Sequence, residues 1–169
     1  MCAFLFVHST RRCTSSSGGV KNMFILKSEI GMDIAHYLAG YDGECKNIHG
    51  HRYQLIVKVS AKELQKEGHL RGMVDDFGNI KDALKKISDL FDHKLLIEDN
   101  EEGRKIADFF KENEFGFDVL LVPYRTTVEE MSRDIYRKIR SYGVNVIEVE
   151  IYETPTNSCI YTEVLSDEL

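Results

Sequence analysis

Residues 45–59 read Cys45-Lys-Asn-Ile-His49-Gly50-His51-Arg52-Tyr53-Gln54-Leu55-Ile56-Val57-Lys58-Val59, and this run decides how the chain folds. From His51 onward the odd positions carry Tyr53, Leu55, Val57 and Val59, while Arg52, Gln54 and Lys58 occupy even ones. Alternation with a period of two marks a strand buried on one face. His49 and His51 fall on that same face, and Gly50 between them leaves room for close approach. Upstream, Phe24, Leu26, Ile30, Met32, Ile34 and His36 hold the even positions of another extended run, Phe24 to His36. Three imidazoles are thus expected on one facing side, with Cys45 in the loop between the strands.

Three neutral imidazoles without a committed fourth protein ligand are the coordination set of a catalytic zinc, whose open position accepts water or a substrate oxygen. The fourth ligand decides the chemistry. If Cys45 binds the metal, the site is a closed structural one. If Cys45 stays off it, the thiol is a candidate base or nucleophile beside a Lewis acid. The metal-free alternative is a buried strand whose histidines are satisfied by hydrogen bonds.

Working outward, a polar linker from Ser60 to Arg71 leads to a helix over about Asp75–Phe91, with an apolar stripe of Phe77, Ile80, Leu84, Ile87 and Phe91. A short helix using Ile106, Phe109 and Phe110 is expected between Glu98 and Glu114, then a brief extended run, Asp118–Val122, ended by Pro123. The next helix begins after Thr126 or Thr127 and runs to about Tyr142, with Val128, Met131, Ile135 and Ile139 apolar and Gly143 as the stop. Val144–Glu153 and Cys159–Val164 read as a hairpin around the turn Thr154-Pro-Thr-Asn157. The expectation is an α+β fold in the order ββααββ: a four-stranded antiparallel sheet with two main helices on one face. Its two edges would stay open without a partner chain, so self-association is expected.

The length of 169 residues suits one domain with a sizeable core. A net charge of −6 and the lack of a basic run argue against nucleic acid as a partner. No apolar stretch approaches the roughly 18–20 residues that span a membrane. Four cysteines without Cys-x-x-Cys spacing fit a reducing compartment, hence the cytoplasm. Residues 1–22 carry Arg11 and Arg12 after a short apolar start, the reverse of a secretory signal. They are expected to form a disordered extension ahead of a single domain over 23–169, with Met23 as an alternative first residue.

Three further sites invite a chemical reading. Asp92-His93 follows the first helix directly and is either an acid–base pair or a helix end at which His93 and Lys94 offset the dipole. Glu153 continues the apolar row Ile147, Val149 and Ile151, and burying its charge requires a partner. A ligand with an N–H and amino edge, such as a guanine or pterin ring, would supply one; exposure at the turn is the alternative. Glu129 and Glu130 lie three residues after Thr126 and Thr127, so either pair makes a capping box.

Together Asp33-Ile-Ala-His36, Cys45-Lys-Asn-Ile-His-Gly-His51, Gly72-Met-Val-Asp-Asp-Phe77, Phe91-Asp-His-Lys-Leu95, Thr127-Val-Glu-Glu130 and Tyr152-Glu-Thr154 resemble the 6-pyruvoyltetrahydropterin synthase and 6-carboxy-5,6,7,8-tetrahydropterin synthase family. The match runs from about Phe24 to Glu163, in the family's order. The resemblance implies the tunnelling fold, in which trimers close a barrel and stack into homohexamers with active sites between subunits. It implies Zn2+ on His36, His49 and His51, Cys45 as base with Asp92 and His93 as acid–base partners, and Glu153 as pterin anchor helped by Glu129. The implied substrate is 7,8-dihydroneopterin triphosphate. Glu130 stands where family members usually carry Asn. Lys46 follows Cys45, whereas the aldolase-like branch uses a glutamate there, and this favours the cysteine-based synthases. The short Cys45-x3-His49 loop and Phe-Asp-His-Lys-Leu-Leu favour the carboxy product of queuosine and deazapurine biosynthesis. The alternatives are a pyruvoyl synthase or a zinc-stapled pterin- or purine-binding module without turnover.

Overall fold

The computed structural model describes residues 22–163; the extension expected over residues 1–22 falls, but for Asn22, outside them. The alternating runs form β1 (Phe24–His36) and β2 (His49–Ala61), an antiparallel pair in which Met32 faces Tyr53, Ile34 faces His51 and His36 faces His49. Met32, Ile34 and Tyr53, Leu55, Val57, Val59 are buried together, as the period of two requires. Two helices cover this face. Helix α1 (Phe77–Phe91) starts at Asp76, whose side chain accepts from the Gly78 amide at 2.8 Å, and buries Ile80, Ala83, Leu84, Ile87 and Phe91. Phe77 was expected in that stripe but sits at the helix mouth, 47% exposed.

The strand after α1 was missing from the expectation. β3 (Lys94–Glu98) pairs in parallel with β1 and carries β4 (Val119–Val122) in parallel on its far side. Leu96 and Ile97 of β3 are both buried, one on each face of the sheet, so the run Leu95-Leu96-Ile97 shows no alternation to read. The extended run Asp118–Val122 is the β4 partner. β5 (Val146–Thr154) pairs antiparallel with β2, and β6 (Asn157–Thr162) closes a hairpin on it. The sheet is six-stranded and mixed, in the order β4-β3-β1-β2-β5-β6, in place of the four antiparallel strands expected.

The helices also occupy both faces. α3 (Val128–Ser141) packs beside α1 over β5 and β6. α2 (Glu101–Glu112) crosses from β3 to β4 on the opposite face, where Ile97 meets it. Leu96 points into the α1–α3 core and Ile97 away from it, which fixes the side on which α2 lies.

Gly103 is the point of closest approach in this second layer, because a Cβ there would lie 2.0 Å from the Glu98 carbonyl oxygen and 2.7 Å from Ile97 Cγ2. Gly103→Ala would gain up to about 1 kcal/mol of helix propensity. Overpacking against backbone that cannot yield costs roughly 1–3 kcal/mol and exceeds it. The variant is therefore expected to unfold at lower denaturant than wild type; an equal or higher midpoint would contradict the tight α2–β3 seam.

Candidate metal centre and acid–base pair

The β1–β2 register puts His36 and His49 directly opposite each other and His51 one step along the same face. Their ring centroids are 4.5 Å (His36–His49), 5.0 Å (His49–His51) and 5.4 Å (His36–His51) apart. One nitrogen from each lies within 4.8 Å of the others. Two backbone carbonyls set the tautomers. Nδ1 of His36 donates to the Thr126 carbonyl at 2.8 Å, and Nδ1 of His49 donates to that of Asn47 at 2.7 Å. A carbonyl can only accept, so the protons sit on Nδ1 and both Nε2 atoms present lone pairs. Burial pushes the His36 ring below its ordinary pKa, against the Thr126 carbonyl, which raises it. Imidazoles whose Nδ1 atoms are held by carbonyls, leaving Nε2 for coordination, fit a metal ion such as zinc.

Thr126 reaches this point because its hydroxyl donates to the Tyr37 carbonyl at 2.6 Å, tying the entry of α3 to the end of β1. Thr127 is the helix cap, accepting from the Glu130 amide at 3.5 Å, and the Glu130 carboxylate pairs with Arg133. Thr127 thus supplies the cap, but the expected capping box does not close, because the Thr127 amide donates to the Arg125 carbonyl at 2.7 Å. Glu129 is exposed on the first turn of α3.

Cys45 lies in a single 3-10 turn, Glu44–Lys46, and is half-buried; its carbonyl accepts from the Leu38 amide at 2.8 Å. Among the described residues it belongs to neither cluster that could hold a metal. This geometry favours the open three-histidine set over the closed one with a thiolate.

Asp92 and His93 form the other cluster, with Asp33. The Asp33 backbone grips both: its amide donates to Asp92 Oδ1 at 2.7 Å, and its carbonyl accepts from the His93 amide at 2.7 Å. His93 Nδ1 lies 3.0 Å from Asp92 Oδ2. Burial works against the Asp92 charge, but the Asp33 amide, His93 and Arg52 outweigh it and hold the carboxyl below its ordinary range. His93 adopts φ of 56°, a left-handed conformation that costs a non-glycine residue about 1 kcal/mol and here turns the chain from α1 into β3. α1 ends at Phe91, as expected, while Lys94 is the first residue of β3 and pairs with Asp118.

His93 lines a cavity of about 720 Å³ with Arg52, Lys94, Leu95, Phe110 and Phe117. This cavity opens on the α2 face, where Asp33 and Arg52 pair. By the strand alternation the three imidazoles share the face of Met32, Ile34 and Tyr53, and His93 sits with Asp33 on the other, while His51 also lines this cavity at its edge. Arg125, a candidate for phosphate contact with Arg52 and Lys94, donates to the Ala39 carbonyl at 3.1 Å and lies over the Tyr41 ring. All three cations already have partners.

Glu153, at the end of β5, is brought beside Tyr53 by the β2–β5 register. Tyr53 donates to Glu153 Oε1 at 3.1 Å and lies 3.2 Å from Nε2 of His36. The same carboxylate oxygen is 3.6 Å from His36 Nε2 and 3.9 Å from His51 Nε2. Burial, then the Glu153 charge, push the Tyr53 phenol well above its ordinary pKa, so it keeps its proton. Sequence reasoning placed Tyr53 in the core and missed its polar end; its position two residues after His51 on the histidine face was the available signal.

No helix among the described residues is long and apolar enough to cross a membrane. The family model for 6-pyruvoyl tetrahydropterin synthase matches residues 25–164. A 6-carboxy-5,6,7,8-tetrahydropterin synthase of Haemophilus influenzae is 37% identical over 147 residues, covering 83% of this chain and all of the relative. One from Rickettsia felis is 34% identical over 134 residues, covering 75% and 91%. Among solved structures, the 6-pyruvoyl tetrahydropterin synthase of Caenorhabditis elegans superposes with a TM-score of 0.61 at 23% identity, covering 85% of this chain and 97% of that one. An uncharacterized protein of Wolinella succinogenes superposes with a TM-score of 0.67 at 19% identity, covering 85% and 99%. A shared fold, a match over most of the chain and relatives above 30% identity place this protein in the 6-pyruvoyl tetrahydropterin synthase family.

Proposed function

We propose that the chain is a zinc-dependent 6-carboxy-5,6,7,8-tetrahydropterin synthase, a lyase that converts 7,8-dihydroneopterin triphosphate and one water to 6-carboxytetrahydropterin, acetaldehyde and triphosphate. The observation that carries this reading is the convergence of His36, His49 and His51, with Cys45 outside the set. The names of the Haemophilus and Rickettsia relatives support the carboxy product over the pyruvoyl one.

In this reading His36, His49 and His51 hold zinc, which when bound supplies Lewis acidity to the side-chain hydroxyls of the substrate. Glu153 accepts from the amino and N–H edge of the pterin ring, two charge-assisted bonds that fix its orientation, and Glu129 adds a contact at the rim. Cys45 takes a proton from the substrate side chain. The Asp92–His93 pair moves protons, with Asp92 holding the imidazole in one orientation. Because His93 faces the α2 side while the histidine cluster faces the α1–α3 side, a complete site is expected between subunits of a homo-oligomer, a trimer or a dimer of trimers. This self-association and the cytoplasmic location are parts of the proposal, as is a role in queuosine or deazapurine biosynthesis.

Incubation of the zinc-loaded protein with 7,8-dihydroneopterin triphosphate is expected to yield 6-carboxytetrahydropterin and acetaldehyde by mass spectrometry. A pyruvoyl product would move the protein to the other branch, and no turnover would favour a binding module. Cys45→Ala should lose roughly 10²–10⁴-fold in kcat, as removal of a general base does, while keeping its zinc. Glu153→Gln should weaken pterin binding by at least about tenfold, the lower end of a lost charged hydrogen bond; unchanged affinity in a titration would refute the anchor.

The Asp92 carboxyl also yields a pH prediction. Its folded pKa lies below the ordinary aspartate value, so its stabilising contribution is complete above that value and fades as pH falls through the lower folded one. The stability gap between wild type and Asp92→Asn should therefore narrow as pH falls below about 4, where Asp92 itself takes up a proton. A gap that keeps widening below that pH would contradict the assigned charge.

A further inference from the structure

Tyr53 stands between the histidine cluster and Glu153 and has no role in the reading above. It is 1% exposed, opposite Met32 in the β1–β2 register. Its hydroxyl lies 3.2 Å from Nε2 of His36 and 3.1 Å from Oε1 of Glu153. A phenol has one proton to donate. With Nδ1 of His36 committed to the Thr126 carbonyl, Nε2 offers a lone pair, and the carboxylate offers others. Two acceptors compete for one proton, and both distances exceed the roughly 2.7–2.8 Å preferred by an O–H···O bond. Among the described residues Tyr53 is the side chain that hydrogen-bonds Glu153, since Nε2 of His36 and of His51 lie 3.6 Å and 3.9 Å away.

We propose that Tyr53 is a positioning residue that couples occupancy of the three-histidine site to the orientation of the Glu153 carboxylate. An ion that takes the Nε2 lone pair of His36 removes one acceptor, and the phenol then donates to Glu153 alone. The carboxylate is held before the ring arrives, so less side-chain freedom is lost on binding. The apo protein divides the phenol proton between two partners and presents a less ordered anchor. This coupling rests on the reading of His36, His49 and His51 as metal ligands and of Glu153 as the pterin anchor. In this proposal Tyr53 is not itself a ligand, and its phenol is dispensable for metal binding. The carbonyls of Thr126 and Asn47 are the groups that orient the ligands.

The test reads the carboxylate directly. With glutamate side-chain carboxyls labelled with 13C, the Glu153 resonance is identified by its absence in Glu153→Gln. Because Glu153 Oε1 lies 3.6 Å from Nε2 of His36, zinc titrated into the metal-free full chain is expected to move this resonance in both proteins, and clearly further in wild type than in Tyr53→Phe. Zinc affinity of Tyr53→Phe should fall by less than the roughly tenfold at which loss of a ligand-orienting partner begins. A resonance that stays still in wild type, or moves equally far in Tyr53→Phe, overturns the proposal.

A parallel fluorescence titration uses 6-unsubstituted pterin, which lacks the side-chain hydroxyls of the substrate. Zinc-loaded wild type is expected to bind it about fivefold or more tightly than metal-free wild type, through the ordered carboxylate, with no such gain in Tyr53→Phe. An equal gain in both proteins overturns the coupling. Failure of the anchor assignment reads differently: Glu153→Gln would bind pterin as wild type does, while the zinc-dependent carboxyl shift of the wild-type protein would persist.

Discussion

The site depends on the pairing register of β1 and β2. His36 meets His49 because thirteen consecutive cross-strand pairs run from Phe24 with Ala61 to the two histidines. A slip of one residue would turn every side chain of one strand to the other face, carrying His49 and His51 away from His36 and Leu55 and Val57 out of the core. Burial of Met32, Ile34, Tyr53 and Leu55 under α1 and α3 therefore selects the register that assembles the histidines. Hydrophobic packing and the convergence of three imidazoles that could hold a metal are specified by the same alternation.

The neighbouring elements hang their chemistry on this hairpin through its backbone. Asp33 of β1 holds Asp92 and His93 with its own amide and carbonyl. Thr126, at the entry of α3, accepts the proton of His36 and secures the chain to Tyr37. β5 delivers Glu153 beside Tyr53. The Asp33 and Thr126 contacts use backbone groups on one side, so little additional conformational entropy is spent in making them.

The parts legible in the sequence were those with a strong period. β1, β2, α1, α3 and the final hairpin lie within a few residues of their expected places, and the histidine face followed from alternation alone. β3 was illegible because Leu96 and Ile97 are buried on opposite faces, which removes the alternation that marks a half-buried strand. Missing β3 turned a six-stranded mixed sheet into a four-stranded antiparallel one and left α2 without a face to cover. The polar role of Tyr53 was hidden because its odd position matched the core pattern of Leu55 and Val57. Its hydroxyl contacts depend on Glu153, a residue one hundred positions away.

The central claim is that three imidazoles form an open metal site and that Cys45 stays outside it. X-ray absorption at the zinc edge of the zinc-loaded protein tests this directly. The account predicts nitrogen and oxygen neighbours at about 2.0–2.2 Å with an imidazole signature and no sulfur. A sulfur neighbour at about 2.3 Å would place Cys45 on the metal, close the site, and contradict the account.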